Sequence, residues 1–454
     1  MSRAPSHDTS SGPGPLTRLL QRAVDIRPEE VSLTFLSAAY FFLVLTSYYI
    51  IRPIRDEMGV AGGVENLAWL FTGTLVGTLM VHPLFTWVVS RYPRKQFIPI
   101  AYRFFAANLV LFFFVFRWVP EGGFVWVGRI FFNWTSVFNL FVVSVFWAFM
   151  ADIFRSEQGK RLFGFIGVGG TLGAILGSGL TAFLAGILGP VNLLLLSALF
   201  LEFALRCVRA IGRRVTVTGL RSPEDEEVAM GGTVWAGVTA AVRSPYLLGI
   251  ILFMLLFTFS STAMYFQQAR IVSLHFVDAG SRTTFFARID LLVNVLTLVT
   301  QVFLTGRIIK WLGLGVALAA LPLVTMVGFG WLGAAPTLGV LMAVQVLRRG
   351  WNYGLMKPAM EALYTVLPRE DKYKAKNLID TFVYRAGDQL GAWSYNGLLS
   401  MGLGVAALAL LNVPVAGIWL GVGLGLGWAH GKRVEREEAP EPERTGEMPI
   451  TRRR

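Results

Sequence analysis

The chain has 454 residues, of which 54% are hydrophobic and only 15% are charged, and its mean hydropathy is +0.57. Soluble domains carry about 25% charged residues, so this composition excludes a set of soluble domains and predicts a chain that faces lipid. The net charge of +13 would indicate nucleic acid in a soluble protein. In a membrane protein it records topology instead, and we predict no nucleic-acid partner.

The chain begins with a polar tail, residues 1–30, which lacks the apolar core of a signal peptide. Residues 16–24 fit either a short interfacial helix or a disordered tail. Two sets of apolar runs follow, in 31–211 and 244–429, and most runs reach the ~20 residues that a membrane-spanning helix needs. The predicted spans are 32–54, 66–90, 97–118, 124–154, 162–188, 191–211, 245–272, 284–306, 312–333, 336–366, 376–400 and 404–429.

A polar linker, 212–243, separates the two sets, and a charged tail, 430–454, which we predict to be disordered, follows the last span. The sequence therefore predicts an all-α membrane protein with about twelve transmembrane helices. The only cysteine, Cys207, excludes an intramolecular disulfide and a cysteine-based metal site.

Basic residues are concentrated in alternate loops. The loops after spans 2, 4, 8 and 10, the linker and the C-terminal tail all carry Arg or Lys, whereas the short loops at 189–190, 334–336 and 401–403 carry no charge. The positive-inside rule therefore predicts a multi-pass protein of the inner (plasma) membrane with both termini in the cytoplasm. Most of the net charge is explained by this topology.

The two sets of six spans have their basic loops at matching places, which indicates an internal duplication. Parallel six-helix halves with basic loops 2–3 and 8–9 describe the major facilitator architecture. The two loops resemble the signature Gly-x-x-x-Asp-Arg-x-Gly-Arg-Lys of that superfamily, although only the basic positions match. An alternative explanation is that any cytoplasmic loop attracts Arg and Lys.

Ionisable side chains within the predicted spans are the strongest functional signal, because each costs at least ~2.5–3.5 kcal/mol at the bilayer centre. We predict four of them as anion-binding cations: Arg52, Arg55, Lys357 and Arg385. We predict five as gating or coupling carboxylates: Asp56, Asp152, Glu361, Asp380 and Asp388. Further charges in these spans are Glu202, Arg288, Asp290, Arg348 and Arg349. The alternative is that Lys357–Glu361 and Arg385–Asp388 are ion pairs that only tie helices together.

A glycine-rich stretch, 167–173, looks like a dinucleotide-binding loop but lacks the preceding strand. Gly169, Gly173 and Gly177 recur every four residues instead, which predicts a stripe for close helix packing. The four histidines are scattered, so no metal site is predicted. With no spacing typical of a nucleophile and its base, and no cofactor motif, we predict that the protein is not an enzyme.

Three stretches resemble the nucleotide (ATP/ADP) translocases of plastids and intracellular bacteria. They are Arg52–Asp56, where the family has Arg-x-x-Lys-Asp; Phe146–Asp152 with the loop after it; and Asn352–Tyr364 followed by 372–380. The last is similar to the family's Lys-Tyr-x-Leu-x-Asp-Pro-x-Lys-Glu-x-x-Tyr and Lys-x-Lys-x-Lys-x-x-Ile-Asp. The chain departs from the family at Lys357 (Asp in the family), Met360 (Lys) and in 387–391 (Gly-Lys-Ser-Gly-Gly).

The resemblance implies a divergent bacterial member of this family. It would act as a monomeric carrier that moves a nucleotide or another phosphorylated or anionic metabolite across the bilayer, by antiport or uptake, through alternating access. The competing hypothesis is a membrane protein that does not transport and uses the carrier fold as a scaffold, for lipid handling or as a sensor. Charges converging on an accessible central site favour the first, and full pairing in a closed core favours the second.

Overall fold

The computed structural model describes residues 26–91, 94–218, 244–368, 375–376 and 378–438. These residues form helices joined by short loops and contain no strand, which confirms the predicted all-α class. The possible helix at 16–24, most of the linker and the end of the C-terminal tail lie outside the described residues.

The described residues of the first half form six α-helices. Helix α1 begins at a proline in its first turn, where no N–H is needed, and carries Glu29 and Glu30 beside the positive end of the helix dipole. The helices are α1 (Pro28–Ala61), α2 (Leu67–Arg91), α3 (Arg94–Trp118), α4 (Glu121–Ile153), α5 (Ser156–Leu188) and α6 (Leu193–Thr218).

The second half is less regular, because π-helical turns interrupt its described part at three places, Thr300–Leu304, Asn352–Met356 and Ile379–Val383. Such turns are frequent at functional sites. Its helices are α7 (Pro245–His275), α8 (Ala279–Val299), α9 (Thr305–Ala334), α10 (Leu338–Trp351), α11 (Lys357–Leu363), α12 (Tyr384–Ser400) and α13 (Val405–Glu438).

Among the described residues, eight helical segments are long and apolar enough to cross a membrane by length and composition. One of them, Ala279–Ala334, has 56 residues, which at 1.5 Å per residue is roughly 84 Å, far more than one crossing requires. It is broken at Gly313, whose φ is +83°, a left-handed conformation that glycine adopts without strain. The segment therefore corresponds to predicted spans 8 and 9, which turn at this glycine.

Three predicted boundaries are wrong. Arg307 and Lys310 do not lie in an interhelical loop. They lie in the first part of α9, which is helical up to the break at Gly313. Helix α6 continues past residue 211 to Thr218, and α13 passes residue 429 and reaches Glu438. The α13 extension is rich in Arg and Glu, long side chains that favour helix even outside an apolar span. The first part of the predicted disordered tail is therefore helical.

The glycine stripe of α5 packs on α1, as predicted. A Cβ atom at Gly169 would lie 2.5 Å from the backbone oxygen of Ala38. At Gly173 it would collide with the backbone oxygen of Phe42, and at Gly177 with that of Thr46. Only glycine allows the two helix backbones to approach this closely.

The two halves join at one end of the bundle, where α1 and α7 end and α2 and α8 begin; we call it the closed end. There Phe71 of α2 packs against Tyr265 and Phe266 of α7, and Thr72 donates a hydrogen bond to Gln389 of α12 at 2.9 Å. One apolar cluster draws buried residues from both halves, and two others lie within one half each. The other end, where α1 begins and α13 ends, is the terminal end.

Candidate functional site

The central feature is a carboxylate shared by two arginines from different halves of the molecule. Asp290 Oδ1 of α8 accepts a hydrogen bond from Arg349 Nη2 of α10 at 2.6 Å, and the same oxygen forms an ion pair with Arg52 Nη1 of α1 at 3.3 Å. The carboxylate is 1% exposed and the Arg52 side chain 16%. A buried carboxylate between two guanidinium groups is fully compensated in charge, so this triad links α1 to α8 and α10.

Helix α1 brings Arg52 to this position next to a proline. Pro53 has no N–H, so the carbonyl of Tyr49 one turn earlier loses its helical partner. The guanidinium of Arg52 also lies 5.4 Å from the centre of the Tyr49 ring, an arrangement typical of a cation–π contact. This turn therefore presents both an unpaired helical carbonyl and a charged side chain inside a predicted span.

Tyr353 lies among three cations. Arg52, Lys357 and Arg349 all lie within electrostatic range of its hydroxyl, and Lys357 Nζ is 4.8 Å from its ring centre. Lys357 is exposed. The structure therefore brings the predicted cations Arg52 and Lys357 to one cluster, together with Arg349. We call Arg52, Asp290, Arg349, Tyr353 and Lys357 the central cluster.

The π turn that carries Tyr353 follows from the sequence. Pro358 cannot donate a hydrogen bond, which leaves the carbonyls of Tyr353 and Gly354 without a helical N–H. Side chains from the facing helix replace it: Gln301 donates to the Tyr353 oxygen at 3.2 Å and Thr305 donates to the Gly354 oxygen. The turn keeps its own hydrogen bond from the Lys357 N–H to the Asn352 oxygen, and the neighbouring helix satisfies the two carbonyls that the proline leaves without a partner.

Arg55 and Asp56 form a second group nearer the closed end. Arg55 Nη1 lies 3.2 Å from Asp56 Oδ1, and its guanidinium packs 3.9 Å from the ring centre of Phe132. The hydroxyl of Tyr265, on α7, donates to the same oxygen of Asp56 at 2.9 Å. Asp56 therefore connects the two halves, and Arg55 stabilises its charge.

Asp388 and Arg385 lie on α12, one turn apart. Thr262 donates to Asp388 Oδ1 at 3.1 Å, and Arg385 Nη1 is 3.9 Å from Asp388 Oδ2. Arg55 of the first half lies within electrostatic range of Asp388. The Arg385–Asp388 ion pair that we considered as an alternative is thus present, at the limit of ion-pair distance.

The remaining predicted carboxylates lie towards the terminal end. Glu361 pairs with Lys376 Nζ at 2.6 Å, so the pairing of Lys357 with Glu361 that we considered is wrong, although their spacing fits one helix face. Asp380 is exposed and lies within electrostatic range of Lys376, Glu361 and Lys357. Asp152, at the end of α4, is also exposed. Of these three carboxylates, only Asp380 lies near a member of the central cluster, the exposed Lys357.

The sequence interpretation missed Asp290, Arg349 and Tyr353 as site residues. Asp290 and Arg349 were visible as intramembrane charges, but the two partners are 59 residues apart and no local spacing connects them. Within the described ranges, no group of three or more His, Cys, Asp or Glu side chains is arranged to hold a metal ion.

No protein-family profile matches the chain. It is 24% identical to ADP,ATP carrier protein 2 of Chlamydia pneumoniae over 84% of this chain and 85% of that protein. Among solved structures it resembles a bacterial homologue of the iron transporter ferroportin in an inward-facing state, with a TM-score of 0.62, 14% identity, and coverage of 88% of this chain and 100% of that one. It also resembles the nucleoside transporter NupG, with a TM-score of 0.59, 10% identity, and coverage of 88% and 99%.

The sequence similarity extends over both halves, and the structural similarity confirms a fold of two six-helix halves. These relatives and neighbours are membrane transporters by name. The chain itself is therefore a multi-pass membrane protein with a transporter fold.

Proposed function

We propose that the chain is a divergent member of the nucleotide-translocase-like family within the major facilitator superfamily, and that it transports a nucleotide or another phosphorylated anion. Its similarity to ADP,ATP carrier proteins over both halves and its transporter fold support this proposal. The substrate binds at the central cluster, between the two halves. Both halves of the site come from one chain, so the proposed carrier works as a monomer.

One observation carries this proposal: Arg52 of the first half and Arg349 of the second half bind the same carboxylate oxygen. Two guanidinium groups that converge on one carboxylate are equally suited to a phosphate group. Lys357 adds a third positive charge beside Tyr353. An anion held by cations of both halves responds to any movement of one half against the other, which a carrier requires.

Aromatic rings beside the cations support a nucleotide as the leading substrate. Tyr49 lies against Arg52, and Tyr353 lies against Lys357. Stacking of a base on an aromatic ring contributes about 1–3 kcal/mol in nucleic-acid sites. Cations for the phosphates and rings for the base are thus available within the same cluster. The relatives named ADP,ATP carriers agree with this choice.

We propose that, in this conformation, the substrate reaches the central cluster from the terminal end. Lys357 is exposed, as are Glu361 and Asp380 further towards that end, whereas the halves pack together at the closed end. With the termini in the cytoplasm, as the basic loops predict, the structure corresponds to an inward-open state. Rocking of the halves then exposes the cluster on the other side.

The predicted carboxylates have separate roles in this scheme. Asp56 accepts a hydrogen bond from Tyr265 of the other half, and Asp388 lies within electrostatic range of Arg55 of the other half. We therefore assign both to the gate. Asp152, Glu361 and Asp380 are exposed towards the terminal end, and we assign them to the inner entrance or to a coupling ion.

Purified protein in liposomes tests the proposal by counterflow of labelled nucleotides and sugar phosphates against the same unlabelled solute. We expect exchange of at least one phosphorylated anion, and we expect Arg52→Gln and Lys357→Gln to reduce its rate at least tenfold, since each removes a cation from a charge-assisted contact. Lys432→Gln is the matched control, because Lys432 lies over Trp428 near the end of α13, and it should exchange at the wild-type rate.

Failure of every anion to exchange with correctly inserted protein overturns the proposal and favours the alternative of a scaffold, lipid-handling protein or sensor. Equal loss in Lys432→Gln and in the two cluster variants contradicts the assignment of the site, because the effect would then follow net charge rather than position.

A further inference from the structure

Asp290 already occupies a position suited to an external anion. Its Oδ1 atom is the meeting point of Arg52 and Arg349, at 3.3 Å and 2.6 Å, and the carboxylate is 1% exposed. Its second oxygen, Oδ2, is buried without a hydrogen-bond partner among the described residues. The carboxylate therefore neutralises both arginines through one oxygen and leaves the other unused.

The two contacts of Asp290 differ in what they connect. Arg349 belongs to the same half as Asp290, so their 2.6 Å contact survives any rigid-body movement of the halves. Arg52 belongs to the other half, and its longer contact must break when the halves separate at the closed end. Asp290 keeps a charge partner after this break, which lowers the penalty that a lone buried carboxylate would cause.

A second ion pair joins the same two helices closer to the closed end. Arg282 of α8 lies 2.7 Å from Glu57 of α1, whose carboxylate is fully buried. Glu57 lies five residues after Arg52, and Arg282 lies eight residues before Asp290, which corresponds to about 7.5 Å and 12 Å along the two helices. Helices α1 and α8 run in opposite directions, so the pairs form two successive links across one contact.

Only the deeper link involves cations of the central cluster. Arg282 also donates to the backbone oxygens of Phe276 and Val277 in its own half, and neither Glu57 nor Arg282 belongs to the central cluster. Loss of either link weakens the contact between α1 and α8. Loss of the Arg52–Asp290 link, in addition, frees a cation that the substrate needs.

We propose that Asp290 is a built-in competitor of the substrate: its carboxylate and the anionic group of the substrate compete for Arg52, so that filling the site releases the link between α1 and α8. This inference rests on the proposed function, because it uses the same site for a phosphorylated anion. It makes Asp290 a positioning and specificity-determining residue. It also explains how an empty carrier stays closed at one end: Arg52 is held by Asp290 until an anion replaces it.

The test measures anion binding and closure separately. Binding of ADP and of inorganic pyrophosphate to detergent-solubilised protein is measured by isothermal titration for wild type, Asp290→Asn, Asp290→Glu and Glu57→Gln. Closure is measured as the rate of maleimide labelling of Ala68→Cys in a Cys207→Ser background, since Ala68 is fully buried in the cluster that joins the halves. Size-exclusion chromatography establishes that each variant is folded.

We expect Asp290→Asn to bind the anion about tenfold or more tightly, because it removes the competing charge while Arg52 and Arg349 remain. Labelling of residue 68 should rise severalfold in the same variant. Asp290→Glu should restore wild-type affinity. Glu57→Gln should raise labelling in the same way but leave affinity within about twofold of wild type, since no cation of the site is freed.

The inference is overturned if folded Asp290→Asn binds the anion no more tightly than wild type. It is also overturned if Glu57→Gln gains as much anion affinity as Asp290→Asn. In either case Asp290 is only a structural link. Failure of the proposed function has a different signature: wild-type protein then exchanges no anion in liposomes and shows no binding in any variant, which also rejects the competition. The competition is supported if Asp290→Asn binds the anion more tightly than wild type and Asp290→Glu binds it with wild-type affinity.

Discussion

Glu57 and Glu361 each pair with a cation, but the surroundings of the two carboxylates differ. Glu57 is fully buried against Arg282, whereas Glu361 is 59% exposed beside Lys376, itself 36% exposed. Removing one partner of a buried pair leaves an uncompensated charge in a low dielectric, at a cost of about 3–5 kcal/mol. An exposed pair contributes only about 0–1 kcal/mol.

We therefore predict that Glu57→Gln lowers the free energy of unfolding by about 2–4 kcal/mol, below the full figure because Arg282 keeps two carbonyl partners. Glu361→Gln should change it by less than about 1 kcal/mol. Thermal unfolding of the detergent-solubilised variants checks this order. Equal thermal unfolding midpoints for Glu57→Gln and Glu361→Gln would contradict the assigned burial of Glu57.

Part of the candidate site was predictable at the level of single residues, because intramembrane charge is rare. Of the four cations predicted for substrate binding, Arg52 and Lys357 lie in the central cluster, whereas Arg55 and Arg385 lie outside it. Their partners could not be predicted, since spacing along one helix favours Lys357–Glu361 while the folded chain pairs Glu361 with Lys376. A charge on a helix indicates that a partner exists; only tertiary packing decides which one.

At the scale of elements, α5 shows how a residue pattern determines a contact. Gly173 faces the backbone of α1 with no room for a methyl group, whereas a methyl group at Gly167, about two turns earlier on the same helix, would meet no neighbouring atom within 4 Å. The four-residue repeat predicted this packing, because small residues spaced this way lie on one helix face.

We predict that Gly173→Ala destabilises the protein by about 1–3 kcal/mol, the usual cost of forcing an extra carbon into a filled contact. Gly167→Ala should be neutral or stabilising by up to about 1 kcal/mol, because alanine favours helix over glycine. Thermal unfolding and counterflow of the two variants check the difference. If both alanines had the same effect, close packing of α1 on α5 would be rejected.

Helix boundaries were harder to predict than helix contacts. The break at Gly313 depends on one left-handed residue, and several other glycines, such as Gly306, lie in uninterrupted helix. Hydropathy does not distinguish the two cases, because the chain is apolar on both sides of the turn. The extension of α13 to Glu438 was missed for a related reason: a charged helix outside the membrane has no hydropathy signal.

At the scale of the whole molecule, two nearby threonines on α2 face different halves. Thr72 donates to Gln389 of α12 in the second half at 2.9 Å, and Thr74 donates to Asn133 of α4 in its own half, also at 2.9 Å. The two pairs have the same chemistry and nearly the same depth. Linking the first pair tests whether the halves must move against each other, and linking the second tests whether helices must move within one half.

We predict that a covalent link between the halves stops transport, whereas a link within one half does not. In a Cys207→Ser background, Thr72→Cys with Gln389→Cys, joined by a short bifunctional maleimide, should reduce counterflow at least tenfold, because alternating access requires the halves to separate at the closed end. Thr74→Cys with Asn133→Cys, joined in the same way, should retain most of its activity, since both residues move as one body. Sustained counterflow in the first variant, with cross-linking complete by mass spectrometry, would mean that the substrate passes without rocking of the halves. The contact between α1 and α8 would then be structural rather than a gate.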